Sequence, residues 1–487
     1  MKKILFTHSY FYRFDPKQWD TKQPYPPLGT IYAAAVMREA GYEVFLFDTA
    51  LIETPEKIVS VIEKEKPDYL VIYDDGFNYL TKMCLTNMRE AAFRMAEIAK
   101  KNGLKVIASS SDAADHYEKY IAHGVDFVVI GEGEITLKEL IDRLDKEETD
   151  LSLVDGLAYK KDGKIVRTST RQIVKELDTF PQPAWDLVDV SSYKKIWMEN
   201  HGYFSLNIAT TRGCPFKCNW CAKPIYGNRY NSRSPQKVAE EIEFLMNKYD
   251  VRHFWMCDDI FGLKPGWVQE FRNIVKEKGL KLKYKIQSRV DLLLQEDTIS
   301  ALAESGAETV WVGAESGSQK ILDAMDKGTT VEQIYQATKL LKKNGIKPAF
   351  FLQFGYLGEE KEDVAKTISM VLDLMPEEIG ISVSYPLPGT KFFDKVKEQL
   401  KEKANWTDSD ELALMYKGTF SPSYYKKLHR YVHKVYRRKQ SLNNLKAIIL
   451  NPFRTDKKKL RSALALIYYT PVSLVNSLQL RRLEKAQ

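Results

Sequence analysis

Cysteine is scarce: the 487-residue chain has five, and three of them crowd into one short window. That usage excludes a secreted, disulfide-stapled scaffold and points to a reducing cytoplasm. Long apolar runs are also missing; none approaches the roughly 20 residues that span a bilayer. The apolar run in Met1-Lys2-Lys3-Ile4-Leu5-Phe6-Thr7-His8 is too short for a signal peptide and reads as a first β-strand. No GxGxxG follows that strand, which excludes a dinucleotide-binding turn. Repeats and low-complexity segments are absent. A net charge of +8 is modest for this length and carries no nucleic-acid signature.

What is present is ordinary in bulk and specific in one place. Hydrophobic residues make up 44% of the chain and charged residues 28%, enough for large cores in two to four domains. The specific place is Thr210-Thr211-Arg212-Gly213-Cys214-Pro215-Phe216-Lys217-Cys218-Asn219-Trp220-Cys221. Cys214, Cys218 and Cys221 lie too close for disulfides of good geometry. A structural zinc site asks for a fourth ligand and regular CxxC pairs. Three thiolates on one loop suit an iron–sulfur cluster with one iron left open to a small molecule.

Residues 1–145 alternate apolar strands with amphipathic helices, which predicts a doubly wound, Rossmann-like parallel sheet. The strands are read at Lys3–Thr7, Glu43–Asp48, Tyr69–Asp74, Lys105–Ser109 and Phe127–Gly131. Ligands of such a sheet bind beyond its carboxyl edge. That edge holds the small polar run Ser109-Ser110-Ser111 and the flexible turn Gly131-Glu132-Gly133-Glu134. Residues 146–199 read as a connector, with a hairpin turning at Asp162-Gly163 and a proline-rich strap around Pro181 and Pro183. Residues 200–403 resume the strand–helix alternation in about six units, a partial (β/α)6 barrel. Its first strand is read at Leu206–Thr211, and a helix is expected over Lys391–Lys403. Polar groups gather at its strand ends: Asp258 and Asp259, Ser288 and Arg289, and Glu315. Residues 404–487 form a mainly helical region rich in aromatic and basic residues.

The CxxxCxxC run resembles the signature of radical SAM enzymes. The Pro26-Pro27-Leu28-Gly29 start, the Gly41-Tyr42-Glu43-Val44 turn and the Gly131-Glu132-Gly133-Glu134 turn resemble, in order, the cobalamin-dependent branch of that family. This branch includes class B methyltransferases and enzymes like the anaerobic magnesium-protoporphyrin ester cyclase, and the likeness covers most of residues 1–400. It implies a [4Fe-4S] cluster on Cys214, Cys218 and Cys221, with S-adenosyl-L-methionine (SAM) on its open iron. By strand position it implies Asp258 or Asp259 on the SAM ammonium, Ser288 and Arg289 on its carboxylate or ribose, and Glu315 as a further polar contact. Cobalamin (B12) contacts are implied at Leu28, Gly29, Gly76, Phe77, Asn78, Tyr79, Ser109, Ser110, Ser111, Gly131, Glu132, Gly133 and Glu134.

The full DxHxxG motif that ligates cobalt is missing around His8, so His8 is expected as a packed strand-end histidine. Only Cys84 occurs in the first domain, which excludes a methylthiotransferase with extra cluster ligands; Cys84 is expected as a packed residue and Cys257 as a strand residue. The implied activity is methylation of an unactivated carbon by a SAM-derived radical and methylcobalamin. Oxidative cyclisation or rearrangement by the same architecture is the alternative, and a cobalamin sensor or carrier with a vestigial cluster is another. The implied partners are a small-molecule substrate of unspecified class and an external flavodoxin- or ferredoxin-like electron donor, without nucleic acid. The tail is read as helices packed on the barrel, with a substrate cover and a peripheral membrane contact as the competing readings.

Overall fold

The computed structural model describes residues 2–222, 225–400, 405–450, 452 and 457–485. The first sheet is built from β1 (Lys3–Thr7), β2 (Glu43–Phe47), β3 (Tyr69–Tyr73), β4 (Lys105–Ser109) and β5 (Phe127–Val129), in the order 2-1-3-4-5 and all parallel. Successive side chains of a strand point to opposite faces. Accordingly Ile4 and Phe6 of β1 join one apolar core, while Leu5 between them joins a second core on the other face. Both faces are covered, as expected of a doubly wound sheet.

The hairpin of β6 (Leu157–Lys161) and β7 (Lys164–Arg167) turns at Asp162-Gly163 as expected. β6 pairs antiparallel with β5 and lengthens the first sheet to seven strands. The strap that follows lies between the domains. The Ala184 N–H donates to Ile31 O, Arg38 forks onto Asp186, and the indole of buried Trp185 reaches Glu241.

The second sheet holds β8 (Ser205–Ile208), β11 (His253–Met256), β12 (Lys283–Ser288), β13 (Ala307–Glu315), β14 (Lys347–Phe354) and β15 (Glu378–Val383), paired in sequence order and all parallel. It curls into a half-barrel. The first barrel strand is shorter than the sequence suggests. It stops at Ile208 because the Thr210 and Thr211 N–H groups turn to Asp258, and the chain re-forms as β9 (Thr211–Arg212) against β10 (Asn231–Ser232). The helix expected over Lys391–Lys403 ends at Val396 and tightens to a 3-10 turn, Lys397–Gln399; positions 401–403 of that expectation lie outside the described residues.

After the half-barrel the chain laces back to the first domain. The Thr86 N–H donates to Trp406 O, Arg89 reaches Asn405, and the Ser409 hydroxyl donates to Asp15. The tail is helical, over Pro422–Leu450, Lys457–Leu464 and Leu466–Lys485. Its long first helix packs on the half-barrel, where the Tyr436 hydroxyl donates to the carbonyls of Pro376 (2.6 Å) and Glu377 (2.7 Å).

Candidate active site

The cysteine loop is held rigidly at its root. Asp258 is fully buried at the end of β11 and accepts from Thr210 N (2.7 Å), Thr211 N (2.8 Å) and Thr210 Oγ1 (2.5 Å). Burial lifts its pKa to about 6 against the pull of these donors. Gly213 takes φ +78°, and a Cβ there would stand 2.3 Å from Arg229 O, so no other residue fits. Farther along, Asn219 pins the loop to the end of the helix Gln319–Ala324 and to Tyr356. It donates through its backbone to Met325 O (3.0 Å) and through its amide to Ala324 O (2.7 Å), and accepts from the Tyr356 hydroxyl (2.6 Å).

Cys214, Cys218 and Cys221 are half-buried thiols on this loop. Among the described residues no three metal-ligating side chains converge as they would on one ion; a four-iron cluster takes one thiolate per iron. Cations face the loop. The Arg289 guanidinium stacks on Phe216 (3.7 Å to the centroid), donates to both oxygens of Asp291 (3.0 Å each) and to Lys327 O (2.8 Å), and stands 3.9 Å from Cys218 Sγ. The Lys327 ammonium pairs with Glu315 at 2.8 Å. Burial disfavours that ammonium, but Glu315 and the nearby Cys218 hold its pKa above the ordinary lysine value.

Asp259 pairs with Lys82, which arrives from the first domain and is influenced by Cys221. Of the five residues expected around SAM, Asp258 holds the root of the loop and Arg289 stands beside Cys218, while Glu315 and Asp259 reach its surroundings only through Lys327 and Lys82. Asp258 positions the loop, Ser288 donates to Phe261 O (3.2 Å), and Arg289, Glu315 and Asp259 are held in ion pairs. The lysines Lys82 and Lys327 went unnoticed in the sequence, where single loop lysines carry no pattern.

The carboxyl edge of the first sheet faces this loop. Arg212, two positions before Cys214, donates to Glu132 (2.5 Å) and Glu134 (2.8 Å). Its guanidinium lies 4.4 Å from the Phe180 ring and 5.3 Å from that of Tyr226. Burial alone would raise the Glu132 carboxyl strongly; Arg212 works against that, and the net direction remains upward. Leu28, Gly29 and Phe77 meet at one residue, Asp75, which accepts from all three backbone N–H groups. Asp75 thereby caps the N-terminus of the helix Leu28–Glu39, favourable for a carboxylate. A Cβ on Gly76 would meet Ile225 at 2.7 Å, and one on Gly133 would meet Ser109 Oγ at 2.7 Å.

Ser110 caps the turn after β4 by accepting from Ala113 N (2.8 Å), while the buried hydroxyl of Ser111 has no partner among the described residues. Gly131 adopts φ +85° at the turn into Glu132. Asn78 accepts from Leu80 N (3.0 Å). Tyr79, expected in the crevice, is 44% exposed, whereas Phe77 is buried against Tyr226. His8 is buried and engaged by Asp48 (2.9 Å) and Thr49 (3.1 Å). Cys84 and Cys257 are buried, the latter donating to Ile208 O (3.2 Å).

Comparison with known proteins places this geometry. Residues 208–371 match the model of the Radical SAM superfamily, and residues 20–141 match that of the B12 binding domain. An uncharacterized methyltransferase of Pyrococcus horikoshii is 30% identical over 388 residues, 78% of this chain and 81% of that one. The chain belongs to the B12-binding radical SAM family.

An anaerobic magnesium-protoporphyrin IX monomethyl ester cyclase of Rubrivivax gelatinosus is 28% identical over 77% of this chain and 67% of its own. Among solved folds, the cobalamin-dependent SAM radical enzyme OxsB superposes with TM-score 0.74 at 16% identity, covering 97% of this chain and 72% of that chain. The radical SAM methyltransferase TsrM of Kitasatospora setae gives TM-score 0.69 at 18% identity, covering 82% and 78%. The cofactors of this B12-binding radical SAM protein are a [4Fe-4S] cluster, SAM and cobalamin. Its residues fit them. The thiols and facing cations suit an anionic cluster, and buried Ser111 Oγ, Tyr32 OH and Glu134 Oε2, without a partner among the described residues, suit a large polar ring system.

Proposed function

We propose that the protein is a cobalamin-dependent methyltransferase that acts on an unactivated carbon of a small molecule and takes electrons from a flavodoxin- or ferredoxin-like donor. In this reading residues 1–145 form the cobalamin domain, 146–199 the connector, 200–403 the radical SAM core and 404–487 a helical appendage. The observation that carries the reading is the Arg212 bridge. It ties the strand leading into the cysteine loop to Glu132 and Glu134 on the edge read as holding cobalamin, which supports two cofactor sites that face each other. The methyltransferase name of the Pyrococcus relative supports it.

When bound, the cluster and SAM supply one-electron radical chemistry and cobalamin supplies a transferable methyl group. The chain's own residues hold and shield. Cys214, Cys218 and Cys221 ligate iron. Arg289 and Lys327 stand on the Cys218 side and Lys82 on the Cys221 side, where their charge offsets that of the thiolates. Phe77, Tyr226 and Tyr32 form a buried aromatic cluster around Arg212, an apolar cover that keeps water from a reactive centre.

The test is anaerobic reconstitution with iron, sulfide and hydroxocobalamin, then reduction with SAM and mass spectrometry of the nucleosides. Retained cobalamin with both S-adenosylhomocysteine and 5′-deoxyadenosine is the expected result. 5′-Deoxyadenosine alone would instead favour oxidation, cyclisation or rearrangement; the Rubrivivax relative is named a cyclase. Neither product, with cluster and cobalamin bound, would overturn the enzyme reading in favour of a carrier or sensor.

A further inference from the structure

The C-terminal helices carry apolar residues on both faces, one packed inward and one left in water. Lys457–Leu464 and Leu466–Lys485 follow each other with only Ala465 between them, and run back along the first tail helix, where Lys427 meets Gln479 and Asn444 meets Ser462. At helical spacing, Leu460, Leu464, Ile467, Leu474 and Leu478 fall on one face. That face is turned outward: all five are exposed, Ile467 to 78%, together with Val475. The inward side buries Ala463, Leu480 and a serine; Ser473 is 1% exposed and accepts from Arg438 (3.0 Å). A contiguous apolar stripe left in water is a surface that something covers.

The charge pattern says what covers it. Residues 421–487 hold 16 lysines and arginines against only Asp456 and Glu484, although the whole chain is only +8. The rest of the protein is therefore net negative, and its positive charge is gathered in the tail. Arg481 and Arg482 extend the apolar stripe on the same face, and both are exposed. A second copy docking stripe to stripe would bring these like charges together. An anionic bilayer satisfies both features, with headgroups on the basic residues and the acyl boundary under the leucines. Among the described residues no helix is long and apolar enough to cross a membrane, and Pro471 interrupts the last one, so the contact lies along the surface.

We propose that the face Leu460–Leu464–Ile467–Leu474–Leu478, flanked by Arg481 and Arg482, docks the enzyme onto anionic lipid membranes. The proposal is independent of the reaction assigned above.

It is tested by co-sedimentation of the holoprotein with vesicles of phosphatidylcholine alone or mixed with phosphatidylglycerol. Binding to the mixed vesicles only, weakened by salt, is expected. Leu474→Asp with Leu478→Asp, and separately Arg481→Glu with Arg482→Glu, should each lower the bound fraction about tenfold. Melting temperature and cluster absorbance should stay unchanged, since these side chains touch solvent. Failure to sediment with either vesicle would overturn the proposal. So would a dimer that the Leu474→Asp, Leu478→Asp protein cannot form, since the stripe would then be covered by a second copy. Binding to single-stranded RNA that the leucine substitutions leave intact would likewise overturn it.

Discussion

Arg212 donates to Glu132 across 2.5 Å, joining the strand before the cysteine loop to the carboxyl edge of the first sheet. Both side chains are almost wholly out of solvent, so neither tolerates losing the other. Arg212→Ala leaves Glu132 and Glu134 buried without a counter-charge. The expected loss is about 3–5 kcal/mol, because an uncompensated buried charge is strongly destabilising. Thermal unfolding of the apoprotein measures it. A melting temperature equal to that of the parent would show the pair to be unimportant to the fold.

Gly213→Ala acts locally. Its Cβ would collide with Arg229 O and its φ of +78° is strained for any L side chain. The variant is expected to remain folded by circular dichroism but to bind less iron after reconstitution, with a loss of about 1–3 kcal/mol in stability. Full iron loading would show that the loop relaxes freely.

Arg289→Lys keeps the charge but loses the fork onto Asp291 and the flat stack on Phe216. Lysine does not substitute for arginine in such a setting. Cluster absorbance is expected to persist, while the rate of SAM cleavage falls about tenfold. An unchanged rate would remove Arg289 from the site's working parts.

Glu359 sits behind the loop, fully buried. One carboxylate oxygen accepts from Gly355 N and the other has no partner among the described residues. Burial lifts its pKa from 4.5 to about 8. A carboxyl whose folded pKa is raised favours folding while protonated, so its contribution is lost as pH rises from about 4.5 through 8. Glu359→Gln, neutral throughout, should flatten that slope and be the more stable protein above pH 8, by an amount on the order of 5 kcal/mol. Parallel pH–stability curves for the two proteins would rule out the shift.

Much of this was legible in the sequence, and the reason differs by element. The first-sheet strands declare themselves by apolar alternation between loop signals, and β1 and β4 fall where Lys3–Thr7 and Lys105–Ser109 were read. The cysteine loop declares itself by spacing. The hairpin after Asp145 was legible as a hairpin, but its pairing with β5 was not, because a strand's partner is not written in its own residues. The Arg212–Glu132 contact spans 80 positions and has no local signal. Asp258 and Asp259 are adjacent and alike in sequence. Only the fold shows that one faces Thr210 while the other reaches Lys82 in the neighbouring domain.

The return of the chain at Asn405 to Ser409 makes the two domains a closed frame rather than a clamshell. They are fastened through the strap at Ala184 and Trp185, by the ion pairs of Arg212 and Lys82 across the centre, and again where Thr86 and Arg89 meet Trp406 and Asn405. A single hinge cannot swing such a frame open. A corrin seated between the domains is then trapped until one fastening lets go, and exchange with cobalamin in solution should be slow beside turnover. Cutting the last fastening with Arg89→Ala, which also frees buried Asp112, should speed release of prebound cobalamin into a chase of unlabelled cofactor.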